Sequence, residues 1–276
     1  MALCNMKELL YEAEKAGRAV GAFSVSSNEM ICGVVDAAEK RKTPVILQVA
    51  ECRLITVPLH VIGGAMLAAA KHASVPVAVH LDHGLTRACI RAALEMGFTS
   101  VMFDGSGLPM EENIRITREV CREAAAYGAA VEGEVGSVGR TESGGECAAR
   151  CADPEDAIRF LSETHVDALA VAIGNAHGVY QGTPQLRFDI LEKIRESTKA
   201  PLVLHGGTGI SDEDFRHCIQ LGMRKINIAT ANFYAAAEAA QGAKDYFEMS
   251  AKMLDAARAV AGRHMDIFGV SNAVKE

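Results

Sequence analysis

Apolar positions along the chain fall into short, near-continuous runs, separated by longer stretches in which they recur every three or four residues. The runs are AVGAF (19–23), PVILQVA (44–50), VPVAVHLD (75–82), SVMFD (100–104), AAVEGEV (129–135), VDALAVAI (166–173), PLVLHG (201–206) and KINIA (225–229). A strand covered on both faces loses the alternation of a half-exposed one, so such runs predict buried parallel strands. The intervening segments predict helices over 28–42, 58–73, 86–96, 110–127, 154–164, 191–197, 211–221 and 231–262, after an amphipathic N-terminal helix. Asp153-Pro154 puts proline at a first helical position, and Ser211 with Asp214 is close to a capping box. Pro44, Pro76 and Pro201 each open a strand, where a missing N–H does least harm. Eight strand–helix units in succession predict a closed (β/α)8 TIM barrel, one α/β domain over residues 1–276. The stretch GSVGRTESGGECAARC (136–151) is glycine-rich and helix-free, follows strand five, and is expected to be a mobile loop able to act as a lid.

Composition narrows the possible functions. The net charge is −7 and there is no basic stripe, which argues against a nucleic-acid partner. The longest apolar stretch, VIGGAMLAAA (61–70), is far short of the roughly 20 residues that span a bilayer. The N-terminal residues carry charges where a signal peptide needs an apolar run, so a cytoplasmic protein with no membrane partner is expected. Eight cysteines are scattered with no CxxC pair, as expected of reduced thiols.

In a barrel of this kind, polar residues at the carboxyl ends of the strands build the active site. Here His83, His177 and His205 each stand beside a glycine at such an end. Neutral imidazoles suit zinc, and three protein ligands with one open position is the catalytic arrangement; taken singly, each could instead be a core or capping histidine. His80 is expected to be a hydrogen-bonded interior histidine. Asp82 adjoins one proposed ligand and suits a general acid or base, or else orients a histidine. Asp104, Glu132 and Glu134 could support the ligands or form another cation site, and Glu142 could swing in from the loop as a base. The segment HGGTGIS (205–211) runs from a strand into a helix expected near Ser211, and Asn227 to Thr230 do the same at strand eight. Glycines that admit backbone N–H groups, together with a helix N-terminus, suit a phosphate.

HLDHG (80–84), VEGEVGSVG (131–139), GNAHGVY (174–180), LVLHGGTGI (202–210) and KINIAT (225–230) resemble, in this order, the zinc-dependent class II ketose-bisphosphate aldolases. The similarity runs from GAFSV (21–25) to about residue 235, with a poorer match after Ala240. The resemblance implies one catalytic zinc on His83, His177 and His205. It implies a proton shuttle at Asp82 on the aldehyde-side oxygen, and a proton transfer at the nucleophilic carbon by Glu142. Gly178, Gly206, Gly207, Thr208, Asn227 and Thr230 would surround a dihydroxyacetone-phosphate-like portion, with Gly178 also lining a Na+ or K+ site. Asp104 and Glu134 would lie around a second metal position, and the family's habit is a homodimer or homotetramer.

The implied chemistry agrees with the residues. Breaking a C–C bond beside a ketone leaves an enediolate, whose two oxygens zinc can chelate as a Lewis acid. No lysine ends a strand at the catalytic face, since Lys225 is expected at the opposite end of strand eight; this argues against Schiff-base chemistry. Ala229 stands where members acting on fructose bisphosphate typically carry aspartate, which is closer to the tagatose-bisphosphate branch. Strand two ends in Gln48-Val49-Ala50-Glu51-Cys52 without the serine the family often places near the substrate. Arg53 or Arg140 is the candidate for a second phosphate or a carboxylate. A metal-assisted epimerase or hydrolase, or a non-catalytic sugar-phosphate-binding barrel, is the alternative function.

Overall fold

All eight apolar runs form parallel strands that close in chain order, with β1 paired to both β2 and β8. The structure is a computed structural model and describes residues 2–138, 150–180 and 182–269. The strands are β1 Val20–Ser24, β2 Val45–Ala50, β3 Val77–Gly84, β4 Ser100–Phe103, β5 Ala130–Val135, β6 Ala168–Val171, β7 Leu202–Leu204 and β8 Met223–Ile228. The helices are α1 Met6–Lys15, α2 Asn28–Arg41, α3 Leu59–His72, α4 Arg87–Met96, α5 Met110–Ala126, α6 Pro154–Thr164, α7 Phe188–Ser197, α8 Asp212–Gln220, α9 Thr230–Ala240 and α10 Tyr246–Phe268. A 3-10 turn, Glu51–Ile55, follows β2.

Strand alternation sorts the apolar residues into two separate cores. Outward residues such as Phe23, Leu47, Val79, Val101, Leu169 and Ile226 pack beneath the helices. Inward residues Val20, Ala22, Ile46, Ala78, Ala130, Ala168, Ala170 and Val203 form the second, with Met6, Leu9, Leu10 and Ala13 of α1. The interior partners are mostly alanine and valine, so α1 can plug the end where the strands begin. Burying Met6 and Leu10 completely there contributes about 1.5–3 kcal/mol each.

Above this plug the inward positions turn polar. Ser24, Gln48, His80, Ser100, Glu132 and Lys225 are followed, toward the carboxyl ends, by Asp82, Glu134, His205 and Asn227, all buried. A polar interior at this density must be internally hydrogen-bonded or built for a ligand.

Three of the differences from the expected boundaries matter here. The helix expected over 231–262 is two helices, broken at Gln241 and at Gly242 (φ +67°) and restarted by the Asp245 side chain, which accepts from the Glu248 N–H. Alanine-rich helical spacing on both sides hides that break. Helix α7 begins at Phe188 rather than Leu191, and β8 begins at Met223 rather than Lys225. Of the loop expected over 136–151, Ser137 and Arg150 exchange backbone hydrogen bonds of 2.7 and 2.9 Å at its base. Arg140, Glu142 and Cys147 lie outside the described residues.

Candidate active site

A regular strand sends Asp82 and His83 to opposite faces. Here the register of β3 against β4 shifts between Leu81 and Gly84, and His83 takes φ +42°. The extra residue and the left-handed turn bring both side chains inside, 1% and 5% exposed. Gly84 permits the turn, because a Cβ there would lie 2.4 Å from the Met102 carbonyl oxygen.

His83, His177 and His205 converge. Their ring centroids are 4.9 Å (83–177), 4.6 Å (83–205) and 5.9 Å (177–205) apart. Their ligand nitrogens all lie within 4.8 Å of one another. One nitrogen of each of two rings is held by a carboxylate: His83 Nδ1 lies 2.7 Å from Asp104 Oδ2, and His205 Nε2 lies 2.8 Å from Glu132 Oε1. Asp104 is itself fixed by the Ser106 N–H and hydroxyl at 3.1 and 2.6 Å. The remaining nitrogens, His83 Nε2 and His205 Nδ1, are buried with no hydrogen-bond partner. Imidazoles oriented through one nitrogen by carboxylates, with the other nitrogens orphaned and facing a common point, fit a divalent metal.

The electrostatics agree. Burial opposes charge on His83, but Asp82, Asp104 and Glu134 outweigh it and carry its pKa well above the usual histidine value. Burial, with His83 adding to it, pushes His205 well below that value. Burial and then Asp104 raise the Glu134 carboxyl far above the carboxylate range. Asp104 goes the other way: burial opposes ionisation, but the His83 bond and charge hold its carboxyl well below that range. Glu134 Oε2 lies 3.6 Å from His205 Nδ1 and 3.9 Å from His83 Nδ1. His83, Asp104 and Glu134 thus make a second group able to hold a cation.

Asp82 sits against the histidines, its Oδ2 4.0 Å from His83 Nε2. Two amides hold it: Gln48 Nε2 donates to Oδ2 at 2.9 Å, and Asn227 Nδ2 to Oδ1 and Oδ2 at 3.1 and 3.3 Å. Beneath them His80 is a hydrogen-bonded interior histidine, with Nδ1 2.9 Å from Ser100 Oγ and Nε2 3.8 Å from Asp82. Lys225 corrects the sequence reading. It is the third residue of β8 and points inward, fully buried, with Nζ 2.9 Å from Glu132 Oε2 and 2.7 Å from Asn227 Oδ1. Alternation along β8 gives Lys225 the inward face of Asn227; the misplaced strand start concealed this.

Beside the histidines a pocket is lined by Asp82, His177, Gly178, Gly206, Gly207, Thr208, Asn227, Ala229 and Thr230. Gly206 has φ +64°, and a Cβ there would lie 2.2 Å from the Ala176 carbonyl oxygen, so only glycine brings β7 this close to the β6 loop. Tyr180 staples the two loops: its hydroxyl donates to the Gly206 carbonyl and accepts from the Ala176 N–H, each at 2.9 Å. Asn175 adds a bond from Nδ2 to the His205 carbonyl at 2.9 Å. The helix N-terminus lining the pocket is that of α9, whose cap Ala229 has no side-chain oxygen. The N-terminus of α8, expected to serve, is capped by Ser211 Oγ, which accepts from the Asp214 N–H. Gln48, Tyr180 and Asn175 were not singled out for the site; only the inward phase of β2 and the loop position of the other two pointed to them.

A barrel with a three-histidine cluster, a clamped carboxylate and a glycine-lined pocket at one rim defines a metal-capable enzyme site for small anionic substrates. Residues 4–273 match the family Fructose-bisphosphate aldolase class-II, and the chain belongs to that family: it is an aldolase, a carbon–carbon lyase. The match extends past Ala240, where a poorer fit is expected from the sequence. The chain is 44% identical over 239 residues to a fructose-bisphosphate aldolase of Geobacillus stearothermophilus, covering 84% of this chain and 82% of that one. It is 41% identical over 247 residues to a 6-phospho-5-dehydro-2-deoxy-D-gluconate aldolase of Halalkalibacterium halodurans, covering 87% and 84%. The crystal structure of the YdjI aldolase from Escherichia coli K12 superposes with a TM-score of 0.88 at 33% identity, covering 99% of this chain and 100% of that one.

Proposed function

We propose that this aldolase is zinc-dependent and reversibly cleaves a phosphorylated ketose to dihydroxyacetone phosphate and an aldehyde, with zinc on His83, His177 and His205. The observation that carries the reading is the pair of orphaned, buried nitrogens, His83 Nε2 and His205 Nδ1, on rings whose other nitrogens are held by carboxylates and which converge with His177. Zinc in this trio supplies Lewis acidity at the oxygens beside the breaking bond.

The chain's own residues do the rest. Cleavage removes a proton from the hydroxyl on the aldehyde side and adds one to the carbon left behind. Asp82, clamped beside the histidines, takes the first proton. Glu142 is proposed for the second. Gly178, Gly206, Gly207, Thr208, Asn227 and Thr230 hold the phosphorylated half, supported by the close approach at Gly206 and the α9 N-terminus. Gly178, with φ +83°, is proposed to line a Na+ or K+ site, and Asp104 with Glu134 to serve either the ligands or a second metal. The chain is proposed to work in the cytoplasm as a homodimer or homotetramer; among the described residues, no helix is long and apolar enough to cross a membrane.

The two relatives' names place different groups at the far end of the substrate, a phosphate in one and a carboxylate in the other. Ala229, lining the pocket, supports a tagatose-bisphosphate-like or ketose 1-phosphate preference. Arg53, 5.6 Å over the Phe233 ring, is the proposed partner of a distal anion. A coupled assay for dihydroxyacetone phosphate over ketose 1-phosphates and 1,6-bisphosphates tests this. Cleavage of at least one member is expected, and Arg53→Ala is expected to raise KM about 10-fold or more for doubly anionic substrates only. A silent panel removes the tested ketose phosphates as substrates and moves the assignment to a phosphorylated substrate outside the panel, such as one ending in a carboxylate. Equal effects of Arg53→Ala on both substrate classes remove its distal role.

A further inference from the structure

A lysine fully enclosed in a barrel is unusual enough to need a physical reason, because an ammonium loses its hydration there unless specific partners replace it. Lys225 has two partners, and each leads to a different half of the site. Its Nζ lies 2.9 Å from Glu132 Oε2, while Glu132 Oε1 lies 2.8 Å from His205 Nε2. It also donates to Asn227 Oδ1 at 2.7 Å, while Asn227 Nδ2 donates to both oxygens of Asp82. Resting on the aldolase reading above, we propose that Lys225 is a positioning residue that ties the metal ligand His205, through Glu132, to the proton-transferring Asp82, through Asn227.

The first branch works by occupancy. With Nζ on Oε2, Glu132 presents Oε1 to His205, which fixes the imidazole so that Nδ1 faces the other histidines. The second works by orientation. An amide has one accepting and one donating end; Nζ, which can only donate, must face Oδ1 and so turns Nδ2 toward Asp82. The reversed amide would put an oxygen against the carboxylate. One ammonium thereby sets both the direction of a ligand and the position of the acid–base group, without reaching substrate. The nearby trio of His80, Asp82 and Glu132 could hold a cation by its donor set, but Lys225 already supplies the positive charge there.

Two variants separate the branches. Lys225→Met leaves Glu132 without its cation, while Lys225→Met with Glu132→Gln removes both charges and keeps an oxygen able to accept from His205. Zinc affinity is measured by chelator competition, and kcat and KM for a cleaved ketose phosphate at saturating zinc. In the single variant, zinc affinity is expected to fall about 10–100-fold, the usual loss when a ligand's outer partner is removed. In the double variant, zinc affinity is expected to return to within about threefold of wild type. Its kcat stays down about 10-fold or more at near-constant KM, because Asn227 is still unoriented. Should the single variant not fold, the double variant alone decides the second branch. A double variant with kcat near wild type, or a folded single variant with unchanged zinc affinity, overturns the corresponding branch and leaves Lys225 as a structural counter-charge. A wild type that cleaves no ketose phosphate removes the proposed substrate class, while the zinc affinities still judge the Glu132 branch.

Discussion

Asp82→Ala is expected to lower kcat about 100- to 10,000-fold, the range that a positioned acid–base group contributes, while one metal per chain is retained. The magnitude follows from the setting. Asp82 is buried, has two amide donors on its oxygens, and lies 4.0 Å from the orphaned nitrogen of His83. Such a carboxylate is held in one place, and in the role proposed for it, taking the proton of the substrate hydroxyl, removing it deletes the transfer and not the binding. KM is expected to change little, because the contacts proposed for the phosphate lie on the glycine loops and α9. Steady-state kinetics with metal analysis of the same sample is the check. A variant that turns over normally, or one that loses its metal, would make Asp82 a structural group or a ligand instead.

His205→Ala is expected to remove metal and activity together. The ring is held by Glu132 through one nitrogen, while the other is buried without a hydrogen-bond partner, Glu134 being 3.6 Å away, so that nitrogen is the one expected to bind the metal. Loss of an outer carboxylate such as Asp104 is expected to weaken metal binding about 10–100-fold; loss of a ligand must exceed that. Asp104→Asn and His205→Ala, compared by chelator competition, should therefore rank in that order. Equal and small effects would mean that the three histidines do not share a metal.

The barrel was legible because its strands are buried on both faces and therefore read as unbroken apolar runs. Its rim was legible because polar residues there interrupt those runs, as at Asp82-His83-Gly84 and His205-Gly206-Gly207. The interior network was harder to see. Lys225 opens an apolar run, and lysine at such a place is ordinarily a solvated end; only closing the barrel shows that β8 starts two residues earlier. Glu132 and Glu134 looked equivalent in sequence, yet Glu132 holds His205 and Glu134 faces the space between two histidines. Nothing local announces the bulge that turns His83 inward except Gly84, and a glycine at a strand end serves an ordinary tight turn equally well. The break between α9 and α10 escaped for the opposite reason, since alanines continue the helical spacing up to it.

The measurement that tests the central claim most directly is metal add-back to chelated protein, following dihydroxyacetone phosphate release from the ketose phosphate it cleaves. Turnover should vanish on chelation and return in proportion to zinc, with activity saturating at one zinc per chain in the wild type and not returning in His205→Ala. Full turnover in the chelated, metal-free protein would contradict the account, because the convergent histidines would then have no part in breaking the bond.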